Sequence, residues 1–410
     1  MTRQPHVKDT GVIKKTILQK GQGRLRKLAK LQYIYEKKSR YFAQVAETAK
    51  MMAGRELEEL GAKDISYEFR GIWFTAAKPD FYKITYQARL LSRILIPLVT
   101  FPCKDKDVLY REARKISWEE LMTPKQTFSI VANVSESSIT HSNFAGLRVK
   151  DAIADYFRDR TNRRPSVDTK DPYIVVNLYL HRDVATLSLD ASMGPLHKRG
   201  YREASVSAPM QETVAAAIIR KSEWDGTVPL YDPMCGSGTL LAEALMKYCR
   251  IPAQVFRTRF GFEALPDFDP RLWEEIKQAA DKNIRPLPQG LIAGSDISEH
   301  SVTAAKTNLM GLHHGADVTV SQIDFREIPG IEDSLIVTNP PYGIRMGKDR
   351  DLKTFYQDLG LFLRERCARS TALVYFGDPK YIKHVPLAPS WKEPLTIGGL
   401  DGKLVKYQLF

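Results

Sequence analysis

The sequence predicts an α/β protein whose C-terminal half is an open sheet with a ligand site at its strand ends. Three observations carry this. The run Asp232-Pro233-Met234-Cys235-Gly236-Ser237-Gly238-Thr239 is a glycine turn between a short apolar strand at 228–231 and a helix at 240–245. Two later strand candidates, 291–295 and 318–323, each end in an acid, Asp296 and Asp324. The next, 334–338, delivers Asn339-Pro340-Pro341-Tyr342. Carboxyl ends of strands are where open α/β sheets hold ligands.

Residues 1–40 carry twelve Lys or Arg against Asp9 and Glu36, a net of +10 out of the chain's +13, which leaves only +3 for the rest. Such an arm binds phosphates without reading sequence and in a salt-sensitive way, and is expected to be disordered or helical as far as Lys38. The stretch 41–64 starts with Tyr41-Phe42-Ala43-Gln44-Val45 and continues as a helix through Leu57 and Leu60, closed by Gly61. Tyr67, Phe69, Ile72 and Phe74 predict one strand over 66–75, and 81–100 reads as a helix and a strand. This βαβ-rich start looks ferredoxin-like. Then come a helix at 108–115, a strand at 126–132, a helix at 144–159, and a strand pair at 173–181 and 184–189. A hinge is expected near Gly194. After the second half's first helix, 249–288 reads as an inserted arm containing Phe260-Gly261-Phe262 and a helix at 270–282. An amphipathic helix at 353–367, a strand at 372–376 and a hairpin over 395–409 turned by Asp401-Gly402 close the chain.

The strand ends suggest a chemistry. Gly236 and Gly238 let backbone approach a ligand where a side chain would collide. Asp232 can accept a hydrogen bond from a cationic amino-acid moiety. Asp296 is placed to bind both hydroxyls of a ribose, and Asp324 to meet an adenine amine. The third glycine of a dinucleotide fingerprint is missing, and Asp296 follows the glycines much later than the ~20 residues usual there. Asn339 and the Pro340 carbonyl can accept both hydrogens of an exocyclic amine, whose lone pair is otherwise delocalised into its ring. Paired prolines fix the turn, and Tyr342 offers a face for stacking a base. The reaction these residues suit is methyl transfer to a base amine, driven by in-line positioning.

Residues 232–239, 294–297 and 339–347 resemble the class I amino-methyltransferases. Leu196-His197-Lys198-Arg199-Gly200-Tyr201-Arg202, followed by Ala208-Pro209-Met210-Gln211-Glu212-Thr213, resembles more narrowly the THUMP-containing RNA guanine-N2 methyltransferases, above all the large-subunit ribosomal RNA methyltransferase L family. Pro266-Asp267-Phe268-Asp269 with Leu272-Trp273 in the arm fits that family too. The resemblance implies a Rossmann-like class I methyltransferase domain over 191–410, preceded by a ferredoxin-like plus THUMP RNA-binding module over 41–190 and the basic extension over 1–40. It implies S-adenosylmethionine (SAM) as cofactor, on Asp232, Cys235, Gly236, Ser237, Gly238, Thr239, Asp296, Ile297, Asp324 and Phe325. Catalysis would fall to Asn339, Pro340, Pro341 and Tyr342, and RNA contact to Lys198, Arg199, Tyr201, Arg202 and Arg345. The expected activity is guanine-N2 methylation of 23S rRNA. The alternatives are tRNA as substrate, DNA adenine as target base, or an RNA-binding ribosome-assembly factor. Some relatives carry a fused second methyltransferase making 7-methylguanosine; only the N2 activity is expected here.

Composition narrows the classes. Cys103, Cys235, Cys249 and Cys367 show no paired spacing, against a zinc site or disulfide scaffold. His181 and His313-His314 lack metal spacing, so no metal is expected. No apolar run is long enough to span a membrane, and the N-terminus lacks an apolar signal segment. A cytoplasmic protein without membrane partners is the expectation.

Overall fold

The computed structural model describes residues 32–204, 206, 209–341, 352–397 and 400–410, so the basic residues 1–31 lie outside the described residues. Tyr33–Phe410 forms one compact unit. A short helix, α1 (Ile34–Lys38), leads into it, with Tyr33 and Tyr35 buried and stacked on each other. The helix expected as far as Lys38 is present, and the packed part of the chain begins inside the basic stretch 1–40.

The first sheet contains β1 (Arg40–Gln44), β2 (Lys63–Glu68), β3 (Gly71–Thr75), β4 (Arg93–Pro102), β5 (Phe128–Ser135), β6 (Ile174–His181) and β7 (Val184–Asp190). Its order is β2-β3-β1-β4-β7-β6-β5, with only the β5–β6 pair parallel. The parts expected to be ferredoxin-like and THUMP thus share one continuous sheet. The long strand β4 joins them, pairing with β1 through Arg93–Leu95 and with β7 from Leu95 to Pro102. Helices α2 (Lys50–Glu59), α3 (Lys78–Gln87), α4 (Lys106–Ala113) and α5 (Ser142–Thr161) accompany it. The single strand expected over 66–75 is instead the β2–β3 hairpin. Its turn puts Arg70 at φ +59, which the alternation of apolar residues did not signal.

The second sheet contains β8 (Leu230–Asp232), β9 (Ile292–Asp296), β10 (Thr319–Gln322), β11 (Leu335–Thr338), β12 (Thr371–Phe376), β13 (Trp391–Ile397) and β14 (Leu400–Gln408). Its order is β10-β9-β8-β11-β12-β14-β13, parallel through β12, with β14 and β13 antiparallel. Strand order reverses between β8 and β11, and that switch point opens a crevice at their carboxyl ends. Helices α6 (Glu212–Lys221), α7 (Thr239–Tyr248), α8 (Pro270–Lys282), α9 (Glu299–Met310) and α10 (Leu352–Arg366) complete this half. Tyr356, Leu359, Phe362 and Leu363 of α10 bury against Ile336, Val374 and Tyr407 of the sheet. Asp401 and Gly402 do not turn the closing hairpin. Both lie in β14, where a Cβ on Gly402 would sit 2.0 Å from the Tyr375 hydroxyl, so the glycine serves packing. The connection itself, 398–399, is outside the described residues.

The inserted arm bolts the two sheets together. Asp269 caps α8 through the amides of Arg271 and Leu272, both 3.1 Å away. Phe262 stacks on Tyr82 of α3 at 4.6 Å, and Trp273 meets Tyr86 edge-on at 5.4 Å. Each such pair adds about 0.5–1.5 kcal/mol beyond its buried area. Gly261 has no room for a side chain, since its Cβ would fall 2.0 Å from the Asp190 carbonyl.

Candidate active site

The site begins at the end of β8. Asp232 is 1% exposed, and its carboxylate accepts from the Met234 amide at 3.1 Å. Burial pushes its carboxyl up to about 7; the charge of Asp296 adds to this, and the Met234 amide and Thr338 hydroxyl oppose it. No Lys or Arg pairs with it among the described residues. The following turn is tied down by Cys235 N donating to Ser295 O (2.9 Å) and Gly238 N to Cys235 O (2.8 Å). Gly236 and Gly238 adopt φ +54 and +79. A Cβ on Gly238 would press on Ala305 of α9 at 3.1 Å, whereas one on Gly236 would meet nothing within 4 Å. Gly238 is needed for helix packing, whereas Gly236 leaves open space at the cleft. Burial holds the Cys235 thiol well above its usual range.

On β9, Asp296 is fixed by two amides, Gly236 N and Ser298 N, each 2.9 Å away. Beside it Ile297 is 55% exposed, an apolar surface without a protein neighbour to cover it. Past β10, Asp324 accepts from the Arg326 amide and guanidinium, both at 3.0 Å, and Arg326 also reaches Asp358 of α10 at 2.9 Å. Phe325 is buried between Phe355 and Phe362. Past β11, Asn339 Oδ1 is buried with no hydrogen-bond partner among the described residues. Pro340 is buried, and the Pro341 carbonyl accepts from Tyr356 Oη at 3.4 Å. Tyr342 and Arg345 lie outside the described residues.

One cleft of about 370 Å³ brings together Asp232, Cys235, Gly236, Ser237, Thr239, Asp296, Ile297, Asp324, Phe325, Asn339 and Pro341. Gly238 and Pro340 are not part of its lining. A buried acid without a cation, a doubly held acid at the next strand end and an exposed apolar side chain next to it suit a ligand with a cationic group, a diol and a flat ring. No group of His, Cys, Asp or Glu among the described residues could hold a metal ion, and no described helix is long and apolar enough to cross a membrane.

The RNA-contact residues expected in the connector need correction. Only Lys198 is exposed. Arg199 is 1% exposed, pairs with the equally buried Glu243 of α7 at 3.2 Å, and donates to the carbonyls of Leu196 and Arg89. Tyr201 is 2% exposed. Arg202 turns inward to Glu212, Ser237 Oγ and Thr239 Oγ1, the last two at 3.0 Å. Arg199 and Arg202 find carboxylates inside the fold, so they anchor the connector to α7 and the glycine turn. Sequence reading also missed Asn308 of α9. Its Nδ2 donates to the carbonyls of Ala204 and Ser237 and its Oδ1 accepts from Glu203 and Ala204, stapling connector to turn. An Asn inside a helical pattern, where it is a weak former, was the available signal. Arg326 left none.

A glycine turn and acids on successive parallel strands, opposite Asn-Pro-Pro at the switch point, define a Rossmann-like methyltransferase domain, here N-terminally joined to a THUMP domain. Residues 199–393 match the family described as RMKL-like, methyltransferase domain, and residues 103–190 match the THUMP domain. A Synechocystis protein provisionally named RNA methyltransferase slr0064 is 38% identical over 90% of this chain and 97% of its own. The ribosomal RNA large subunit methyltransferase K/L of Syntrophotalea carbinolica is 34% identical over 90% of this chain and 53% of its own, so the chain spans about half the length of such relatives. The crystal structure of SMU.472, provisionally a methyltransferase and solved with S-adenosylhomocysteine (SAH), superposes with TM-score 0.80 at 25% identity, covering 90% of this chain and 98% of that one. TrmN from Thermus thermophilus shares the fold, with TM-score 0.66 at 16% identity over 90% of this chain and 99% of that one. The chain belongs to the family of THUMP-containing proteins with an RMKL-like methyltransferase domain.

Proposed function

We propose that this protein is a SAM-dependent RNA methyltransferase that methylates the exocyclic N2 amine of a guanine in 23S rRNA, in the cytoplasm. The observation carrying this is the unpartnered Asn339 Oδ1, buried in the same cleft as the cation-free Asp232. A buried acceptor without a donor costs about 1–3 kcal/mol, and an amine hydrogen of the substrate would relieve it.

The residues fit the cofactor. Asp232 meets its positive amino-acid end, Asp296 its ribose, Ile297 and Asp324 its adenine, and the side-chain-free Gly236 allows close approach. The chemistry SAM supplies when bound is a methyl group on a sulfonium. Asn339 Oδ1 and the Pro340 carbonyl accept the two amine hydrogens of guanine and aim its nitrogen lone pair. Pro341, tied to Tyr356, holds that turn in place. Tyr342 stacks on the base, and Lys198 and Arg345 meet phosphate. The methylated amine loses its surplus proton to water.

Incubating the protein with labelled SAM and separate pools of unmodified 23S rRNA and tRNA, followed by nucleoside mass spectrometry, tests this. N2-methylguanosine from 23S rRNA alone is expected. The same product from tRNA alone would reassign the substrate, and N6-methyladenosine would reassign the base. Absence of both transfer and SAM binding would favour a ribosome-assembly factor.

A further inference from the structure

The hairpin side of the first sheet has two unlike faces. Tyr41, Ala43, Ile72 and Phe74 point to one and are buried, with Tyr41 stacked on Phe81 of α3 at 3.9 Å. The opposite face, between alternating buried positions, carries Arg40, Phe42, Gln44, Trp73 and Thr75, all partly exposed. Pairing brings Phe42 directly across from Trp73, their rings 5.0 Å apart and edge-on. Gly71 makes room for this pair, because a Cβ there would lie 2.2 Å from the Phe42 ring. The Arg40 guanidinium covers the Trp73 ring at 4.7 Å and has no acidic partner among the described residues. At the hairpin turn Arg70 covers Phe69, which is 63% exposed, at 5.1 Å. Phe42 and Trp73 are partly exposed and Phe69 is exposed, so this face is neither a closed core nor a purely polar surface.

We propose that this face of β1 and β3 is a stacking platform for single-stranded RNA, separate from the catalytic cleft. Bases stack on aromatic rings and on guanidinium planes, and adjacent strands present such rings at a spacing that neighbouring bases can use. Arg40 now occupies the ring face that a base would take. Released by the incoming base, its guanidinium is beside the phosphate backbone, where its charge is complementary. The favoured ligand is an unpaired segment, since bases inside a duplex present no free π-face. The inference rests on the protein being an RNA enzyme, as proposed above.

The full-length protein would be titrated with a fluorescein-labelled 12-nucleotide single-stranded RNA of mixed sequence and with an RNA duplex of the same length, over a series of salt concentrations. Trp73→Ala is expected to weaken single-strand binding roughly five- to hundredfold while leaving the salt slope and duplex binding unchanged. Trp73→Phe should restore most of the loss. Arg40→Glu, at a partly exposed position, should both weaken binding and flatten the salt slope. SAH binding and the thermal midpoint serve as controls for folding. Wild-type affinity in folded Trp73→Ala and Arg40→Glu, or equal losses on duplex and single strand, would overturn the platform. If the unaltered protein neither binds RNA nor methylates it, the enzymatic reading falls as well; if it does both while the variants bind normally, only the platform falls.

Discussion

Two aspartates close strands in the two sheets and are equally hidden. Asp190 ends β7 and Asp232 ends β8, each 1% exposed. Asp190 is met by the Arg93 guanidinium and by the amides of Ser192 at 2.9 Å and Gly194 at 3.2 Å. Asp232 is met by a single amide, that of Met234 at 3.1 Å. Burial raises both carboxyls, but only at Asp190 does the fold itself supply a cation. Arg199 with Glu243 and Arg202 with Glu212 repeat the Asp190 pattern where the connector joins the second sheet. A buried acid answered from within holds structure together, whereas one left unanswered in a cleft is available to a ligand.

The largest expected effect tests that contrast in stability. Asp190→Ala leaves Arg93 without its partner and should cost about 3 kcal/mol of unfolding free energy, read by urea denaturation. Asp232→Asn should cost almost nothing; equal losses would erase the distinction. In catalysis, Asn339→Ala should slow methyl transfer at least about a hundredfold, as loss of a single aimed group does, with SAH and RNA affinities preserved. If RNA affinity drops in step with turnover, Asn339 is a binding residue instead.

Asp232→Asn should weaken SAM binding about ten- to hundredfold, the range for a charge-assisted hydrogen bond, by calorimetry. The pH dependence follows from the raised carboxyl. Folded Asp232 titrates near 7 against an ordinary value of 3.8, so between these the ligand-free folded state holds the extra proton. Its stability therefore falls as pH rises from about 4 to about 7 and levels above. Over the same window SAM affinity should rise as the carboxylate forms. Both trends should vanish in Asp232→Asn, and a flat affinity profile in the unaltered protein would place the cationic end elsewhere.

The smallest effect concerns the basic arm. Tyr33 and Tyr35 are core residues, so a clean truncation removes residues 1–31 and no more. That variant should fold normally, bind RNA more weakly and show a shallower salt dependence. An unchanged slope would leave the arm without a phosphate role.

Much of the second half was legible because its signals are local. Asp232, Asp296, Asp324 and Asn339 each follow a short apolar strand, and all line the same cleft. The helices expected at 270–282 and 353–367 appear as Pro270–Lys282 and Leu352–Arg366. Local signals failed where two segments meet. The 66–75 hairpin alternates on both sides of its turn, and only the one-residue phase change from Tyr67 and Phe69 to Ile72 and Phe74 marks the reversal. Gly402 suggested a turn, but its reason is Tyr375 from a neighbouring strand. The resemblance placed Arg199 and Arg202 at RNA, and no local pattern showed otherwise, because their partners Glu243 and Glu212 lie 44 and 10 positions away.

By itself the sequence determined the parallel strands of the second half, the glycine turn and the residue types at the strand ends. Those depend on backbone conformation and on alternation within a few residues, which a chain carries wherever it folds. Only the tertiary structure decided which charges are spent inside the fold and which remain for ligands. Pairing and burial arise between distant segments, as when Arg199 reaches the Arg89 carbonyl across 110 positions, and no local pattern encodes them.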